Sequence, residues 1–434
     1  MIRLFKVSIP SSAVVLVISD AVLLFACYLF AAWLAIDVSL VTFLFEQNGY
    51  WHIAFVMGVI MLGLYFNDLY EHYKVRSRIE LIQQFCLALG IAFLLQSLVS
   101  YAQWGVLLPK WVMVYGSVLA LVVLPLWRIF YTALASSSLG AQKLLFLGSS
   151  PAVCEIASYL KEHPELGLAP IGYLDSSTGI PGMTKLGSMA QLDEVLAEQH
   201  PARVVVGLDV LAPESLPVER LLELRLSGLD IEEASAAYET VFRRVSSRDL
   251  PPSQLIFSND MCPGAASVTL QSAYSLVLGL AALVVTLPVM AMVALIVKLT
   301  SRGPVIQREK CAGSNGVPFS VLKFRSAGTW MRRLRLQQLP QLFNVVSGEM
   351  AIVGPRPERP EFAAVLEEQI PYYRQRLCVK PGMTGWAQIN EMEAGAVENT
   401  IQKLEFDRYY IKNLSLALDT YIIFHALKTT LLGR

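Results

Sequence analysis

The sequence predicts a multi-span α-helical membrane bundle followed by two cytoplasmic α/β segments, the second opened by an apolar helix that dips into the bilayer. Three observations predict it. The 434 residues are 54% hydrophobic and 16% charged, with a mean hydropathy of +0.50. A soluble globular chain is usually about a quarter charged. Apolar runs of membrane length crowd into the first third of the chain, and another covers residues 275–299. Between and after these runs, short apolar stretches alternate with helical patterns. The net charge of +0 implies no bulk electrostatic partner, and no nucleic acid is expected.

A lipid-spanning helix needs about 20 mostly apolar residues. The runs 13–36, 51–66, 81–101 and 111–133 supply four spans, the second being short, and set a first domain of residues 1–136. Asp20 is costly in lipid, so it is expected to face other helices or lie near one boundary. Loop cations set the orientation. Arg3 and Lys6 precede the first run, Lys74, Arg76 and Arg78 follow the second, and Arg128 and Lys143 close the fourth. The loop 37–50 carries no Lys or Arg, and the third loop has only Lys110. Both ends of the bundle are therefore expected in the cytoplasm. The first run is too long for a cleavable signal peptide and lacks a clear small-residue cleavage site.

Residues 141–262 read as a separate α/β domain. Strands are expected at 143–147, 171–174 and 203–208, with helices at 152–160, 191–199 and 215–226. Strand–helix alternation argues for a parallel sheet. The first turn, Gly148-Ser149-Ser150-Pro151, is Rossmann-like in position but lacks the glycine fingerprint of a pyrophosphate site. A structural, regulatory or dimerising role is expected over nucleotide binding. Cys27, Cys86, Cys154, Cys262, Cys311 and Cys378 show no close pairing, and neither they nor the five histidines have metal-ligand spacing.

The third segment is 270–434. Its apolar run, 275–299, is flanked by cations on both sides: Arg243, Arg244 and Arg248 before it, Arg302, Arg308, Lys310, Lys323 and Arg325 after it. Both flanks are then cytoplasmic. Pro288 near the middle is expected to break the helix, giving a re-entrant helix-break-helix. A true fifth span is the alternative. Beyond it, 301–304 reads as a turn, 319–324 as a strand and 336–346 as a helix with Leu339, Leu342 and Phe343 on its apolar face. The aromatic and basic segments 404–413 and 416–429 read as amphipathic helices suited to a membrane surface, with ordinary helix packing as the plainer reading.

Two rigid basic turns stand out. In Gly354-Pro355-Arg356-Pro357 each proline fixes its own φ, so the Arg356 guanidinium is held where a planar fork suits phosphate oxygens. Lys380-Pro381-Gly382 is the second such turn. Lys323 and Arg325 lie on the strand ahead of them, and the run Arg332-Arg333-Leu334-Arg335 follows. A solvated basic surface is the plain reading of any one of these residues. Their number beside a membrane segment raises a phosphate site to even standing.

The stretches LKFRS (322–326), LPQLFNVVSGEMAIVGPRPERPEF (339–362), VKPGMTGWAQIN (379–390) and FDRYYIKNLSLALDTYII (406–423) resemble the bacterial polyprenyl-phosphate phosphoglycosyl transferases. The whole architecture is most similar to the large members of the exosortase-associated exopolysaccharide type. The resemblance implies a four-span bundle, a Rossmann-like cytoplasmic domain and an α/β phosphoglycosyl transferase domain with a re-entrant membrane helix, placed in the bacterial inner membrane. It implies transfer of a sugar-1-phosphate from a UDP-sugar to undecaprenyl phosphate, initiating an exopolysaccharide. UDP-sugar, undecaprenyl phosphate and membrane lipid are the partners implied, and homo-oligomerisation is left open. In that family a carboxylate attacks the β-phosphate and a neighbouring Glu holds Mg²⁺. Those positions fall on Gln337 and Gln338. An amide is a very weak nucleophile and lacks the charge that draws Mg²⁺.

The segment 327–331 is also short for the family. Gln271 to Ser275 and Cys311 depart from its pattern, while Lys323, Arg325, Arg356, Lys380, Tyr409 and Asp419 match. A catalytically impaired or inactive member, acting as a membrane scaffold or regulator, is the alternative the substitutions open.

Overall fold

The computed structural model describes residues 2–4, 7–9, 11–36, 39–66, 69–70, 78–101, 108–135, 142–163, 166–175, 180, 182–207, 217–247, 262–326, 328–333, 335–370, 372–390 and 398–432. A short antiparallel strand pair, β1 (Ile2–Leu4) and β2 (Val7–Ile9), precedes the helices α1 (Ser11–Ala35), α2 (Gly49–Phe66), α3 (Arg78–Tyr101) and α4 (Lys110–Ala135). Helix α1 packs on α2 and α4, and α3 packs on the same two, so the four close into a ring. Leu24, Tyr28, Ile60, Phe85, Val112 and Leu124 fill its interior. Ile18, Trp33, Trp51, Val118 and Phe130 point outward, as apolar side chains can where the surroundings are lipid.

Asp20 faces other helices, as expected. Its carboxylate lies 2.5 Å from the Arg128 guanidinium of α4, and both side chains are buried. Arg128 also donates to the Leu69 carbonyl and stands 4.9 Å over the Tyr70 ring. The loop cations Lys6, Lys74 and Arg76 lie outside the described residues.

Among the residues whose side chains are described, helices long and apolar enough to cross a membrane are Val14–Ala35, Gly49–Phe66, Lys110–Tyr131 and Ala265–Thr300. The expected third span, 81–101, lies in α3, of whose side chains only those of 83–94 are described, and these form an apolar helical stretch.

The middle segment forms a five-stranded parallel sheet. Its strands are β3 (Gln142–Leu147), β4 (Leu168–Leu174), β5 (Lys185–Gly187), β6 (Arg203–Val206) and β7 (Asp230–Glu233), ordered β5-β4-β3-β6-β7. Four helices cover it: α5 (Pro151–Glu162), α6 (Leu192–Gln199), α7 (Val218–Leu226) and α8 (Ala234–Phe242). Alternation along β3 sends Leu144 and Phe146 to the face under α5 and α8, and Leu145 and Leu147 to the face under α6 and α7. Strands β5 and β7 and helix α8 escaped the sequence reading because they are short or mixed in polarity. Residue 208 of the expected third strand, and 215–216 of the expected helix, lie outside the described residues.

At the turn after β3, Ser150 caps α5 by accepting from the Val153 amide (3.4 Å). A side chain at Gly207 would collide with Val153. Gly207 after β6 thus lets the chain approach the first turn of α5 closely.

Helix α9 (Ala265–Thr300) is 36 residues long and runs through Pro288 without interruption. The expected break there is corrected. Proline removes one i to i−4 hydrogen bond, and the turns on either side keep theirs. On one side Gln271, Ser275 and Gly279 are buried, and further along Met290, Val293 and Val297. Between these groups Leu280, Val284, Val285 and Leu287 are exposed.

The remainder packs against α9. Strands β8 (Ile306–Ala312) and β9 (Pro318–Phe324) form an antiparallel pair. Helix α10 (Thr329–Arg333), a 3₁₀ turn at Leu336–Gln338 and helix α11 (Gln341–Val346) follow. The expected single helix over 336–346 is therefore divided, because Pro340 takes the N-cap position of α11. Leu342 is buried as expected, but Phe343 is exposed, and Val345 and Asn344 take its inward place. The Asn344 amide accepts from Leu322 N (3.0 Å) and donates to Ser320 O (2.8 Å), pinning α11 to the edge of β9.

Strand β10 (Ala351–Val353) pairs in parallel with β11 (Gly382–Thr384), with α12 (Pro360–Gln369) between them in sequence. Helices α13 (Trp386–Asn390), α14 (Glu398–Lys412) and α15 (Leu416–Leu432) complete the fold. Tyr409 and Tyr410 are buried and Lys412 pairs with Glu239, so α14 is a packed helix and not a membrane-surface one. On α15, Phe424 stays exposed while Lys428 is buried 5.3 Å over the Tyr65 ring of α2.

Cys262 and Cys378 also correct the sequence reading. Their sulfurs lie 2.6 Å apart, across 116 residues of sequence.

Candidate active site

The two basic turns form one unit. Gly354 N donates to Thr384 O (2.9 Å), and Gly382 N donates to Pro355 O (3.0 Å). Backbone lies directly on backbone: a side chain at Gly354 would meet Lys380 O at 2.5 Å, and one at Gly382 or Gly385 would strike Gly354. Glycine is needed here for close approach. This is the physical link between Arg356 and Lys380, which the sequence leaves 24 positions apart. Arg356 is exposed, and its side chain has no hydrogen bond or ion pair among the described residues. Lys380 is half-buried, its ammonium beside Gly348.

Lys323 projects from β9 and donates to Glu309 on β8 at 2.6 Å. Arg359, at the N-cap of α12, donates to the other oxygen of Glu309. Hydrogen bonds from Lys323 and Arg359 hold the Glu309 carboxyl below the usual range. Glu309 thereby ties the LKFRS strand to the segment that follows Pro357. Ala312 N adds a second tie by donating to Glu358 O (2.9 Å). An open groove of about 450 Å³ is lined by Gln307, Arg308, Glu309, Lys323 and Arg359. Arg325 lays its guanidinium over the left-handed Gly303, next to Pro304, which also lines this groove.

Gln337 and Gln338 sit in the 3₁₀ turn beside β9. Leu336 and Leu339 on either side pack against the cluster of Met290, Phe324 and Met331. Arg335 enters this turn at φ 52. The side chains of Arg332 and Arg333, and Leu334, lie outside the described residues. The Gln337 Nε2 is buried without a hydrogen-bond partner among the described residues. That orphan is a donor, suited to an anionic oxygen and not to a cation. The described residues hold no cluster of three or more His, Cys, Asp or Glu. The groups at 337 and 338 therefore do not fit a charged Mg²⁺ site, and no step is routed through one.

Glu309, Arg359 and the glycines at 382 and 385 were missed as contributors by sequence reasoning. Arg359 and the glycines lie within the recognised stretches. Glu309 lies in a strand whose Gln-Arg-Glu-Lys run hides any alternation.

The fold and the joined turns define a membrane protein whose C-terminal α/β domain is built around two basic turns. The chain belongs to the bacterial sugar transferase family, whose model matches residues 266–328 and 326–433. It is 33% identical over 186 residues to the exopolysaccharide production protein PSS of Rhizobium leguminosarum, covering 36% of this chain and 92% of that protein. It is 32% identical over 235 residues to an Aeromonas hydrophila UDP-N-acetylgalactosamine-undecaprenyl-phosphate N-acetylgalactosaminephosphotransferase, covering 49% of this chain and 55% of that protein. A match to the Xanthomonas campestris UDP-glucose:undecaprenyl-phosphate glucose-1-phosphate transferase is 28% identical over 335 residues, covering 69% and 68%. The chain thus spans between about half and two thirds of these two transferases.

Proposed function

We propose that the chain handles a UDP-sugar and undecaprenyl phosphate as a phosphosugar transferase at the inner membrane, in the service of exopolysaccharide synthesis. The observation that carries this reading is the backbone-locked pair of turns presenting Arg356 and Lys380 beside an apolar membrane helix. Both ligands present phosphate oxygens, and a pre-set guanidinium is a strong partner for them. Lys323 and Arg359 add positive charge along the groove. The relatives whose names specify this transfer support the reading.

Residues 1–136 are the membrane anchor, 141–262 a Rossmann-like domain, and 270–434 the transferase domain. The cations on both flanks of α9 favour a cytoplasmic placement of each. The unbroken helix then lies along the membrane surface, with Gln271–Gly279 and Met290–Val297 packed on this domain and the exposed apolar residues between them toward lipid.

Gln337 and Gln338 favour a second feature: turnover is slow. With no carboxylate at 337, the acyl-phosphate route is closed at that position. The ligand-binding residues remain. Full-length protein in nanodiscs should bind a UDP-sugar or undecaprenyl phosphate. Arg356→Ala and Lys323→Ala should each weaken that binding by about 1.5–3 kcal/mol, as for a lost charged hydrogen bond. Unchanged affinity in both variants would place the phosphate elsewhere.

A further inference from the structure

Arg376 is buried in the 3₁₀ segment Tyr373–Cys378, between α12 and β11. Its Nη2 donates to the carbonyl of Arg356 at 3.0 Å and lies 3.1 Å from the buried Asp407 carboxylate of α14. Its Nη1 donates to Glu358 at 3.0 Å and to the Tyr373 hydroxyl. The Tyr373 ring centre is 5.1 Å from its Cζ. A small cavity bounded by Pro355, Arg356, Glu358, Tyr373 and Arg376 lies at this contact.

A buried cation is costly unless its donors are met. Here two carboxylates, a phenol and a main-chain carbonyl meet them. Asp407 alone would account for a structural ion pair. It does not account for the other bonds, which grip the turn at Arg356 and again two residues on at Glu358. The carbonyl of Arg356 points inward to Arg376, while the Arg356 side chain is exposed and unpaired among the described residues.

We propose that Arg376 is the positioning residue of Arg356. It clamps both sides of Pro357 and so sets the direction in which the Arg356 guanidinium meets a phosphate. Asp407 anchors the clamp to α14. The fork of a guanidinium is required, because two nitrogens serve two sides of the turn at once; a lysine ammonium is a single point and reaches one. The inference rests on the proposed function in that the phosphate is the ligand of Arg356.

The test uses full-length protein in nanodiscs and two readouts. Hydrogen exchange of the peptide spanning 351–358 needs no ligand. It should speed up in Arg376→Gln and partly recover in Arg376→Lys, with the four-helix bundle unchanged. Binding of UDP-glucose, UDP-N-acetylglucosamine and UDP-N-acetylgalactosamine gives the second readout. Arg376→Gln should weaken it about tenfold or more. The same change in an Arg356→Ala background should have little further effect. If Arg376→Gln proves too unstable, Asp407→Asn loosens the anchor and should show the same pattern in smaller degree. Unchanged exchange at 351–358, or additive losses with Arg356→Ala, would overturn the positioning role. Faster exchange in a chain whose wild type binds none of these ligands and no undecaprenyl phosphate would support the clamp and refute the transferase reading.

Discussion

A methyl group added at Gly382 would run into the amide nitrogen of Gly354. That one contact explains why the two basic turns hold together. Backbone cannot yield as a flexible side chain can, so Gly382→Ala should cost on the order of 3 kcal/mol. Thermal melting in nanodiscs measures it. A melting temperature equal to wild type would show that the turns are not locked. Asp20 and Arg128 make a similar point in the bundle. Each would be an uncompensated charge in lipid alone; together, at 2.5 Å, they are a satisfied pair.

At the scale of elements, one network joins α9 to α15. Asp419 accepts from the Tyr410 hydroxyl (2.8 Å), from Tyr274 and from Gln271 (3.4 Å). Gln271 donates as well to the carbonyl of Val353, the residue before the Gly354 turn (3.0 Å). Burial raises the Asp419 pKa to about 6, against the lowering effect of those hydrogen bonds. The protonated form is therefore favoured by folding. Its stabilisation is complete below the unfolded value near 4 and is lost as pH rises through 6. Wild type should gain on the order of 2 kcal/mol between pH 7.5 and pH 4.5 relative to Asp419→Asn. Parallel pH–stability curves for the two proteins would contradict this.

The cytoplasmic placement of both flanks of α9 is tested by labelling. A single cysteine placed at Ser314 in a cysteine-free chain should react only from the cytoplasmic side. Reaction from the outer side would make α9 a true fifth span.

Long periodic elements were legible in the sequence, and short or mixed ones were not. Helices α1, α2 and α4 follow from apolar length alone, and Asp20 announced its inward face. Strand β8 was invisible because its Ile306–Ala312 run has four polar residues in sequence, Gln307 to Lys310. The division at Pro340 was readable in principle, since proline at a helix start is favoured where the preceding turn ends. Helix α9 shows the converse: Pro288 marks a lost hydrogen bond, but neighbouring turns carry the helix across it. The site was half legible. Arg356 and Lys380 could be named as rigid cations, but their joining depends on glycines whose role appears only when two strands pair. Cys262 and Cys378 were unreadable as neighbours, because only tertiary packing brings them together.

Across the whole molecule, the transferase-family domain touches both other parts. Glu239 of α8 accepts from Lys412 (2.6 Å) and Asn413 (3.1 Å), and Trp386 donates to Arg243 O (2.9 Å). Lys428 reaches Tyr65 in the bundle. The C-terminal domain that carries the basic turns thus contacts both the middle domain and the bundle. At Gln337 and Gln338, where the family resemblance implies a carboxylate pair, this chain carries amides. The most direct measurement is UMP release by the full-length chain with Mg²⁺, undecaprenyl phosphate and a panel of UDP-sugars, beside an Asp-Glu-bearing relative and the double variant Gln337→Asp, Gln338→Glu. The account predicts release by the wild type several orders of magnitude below the relative, as when a covalent nucleophile is lost, and faster release by the double variant. Robust release by the unmodified chain would contradict it.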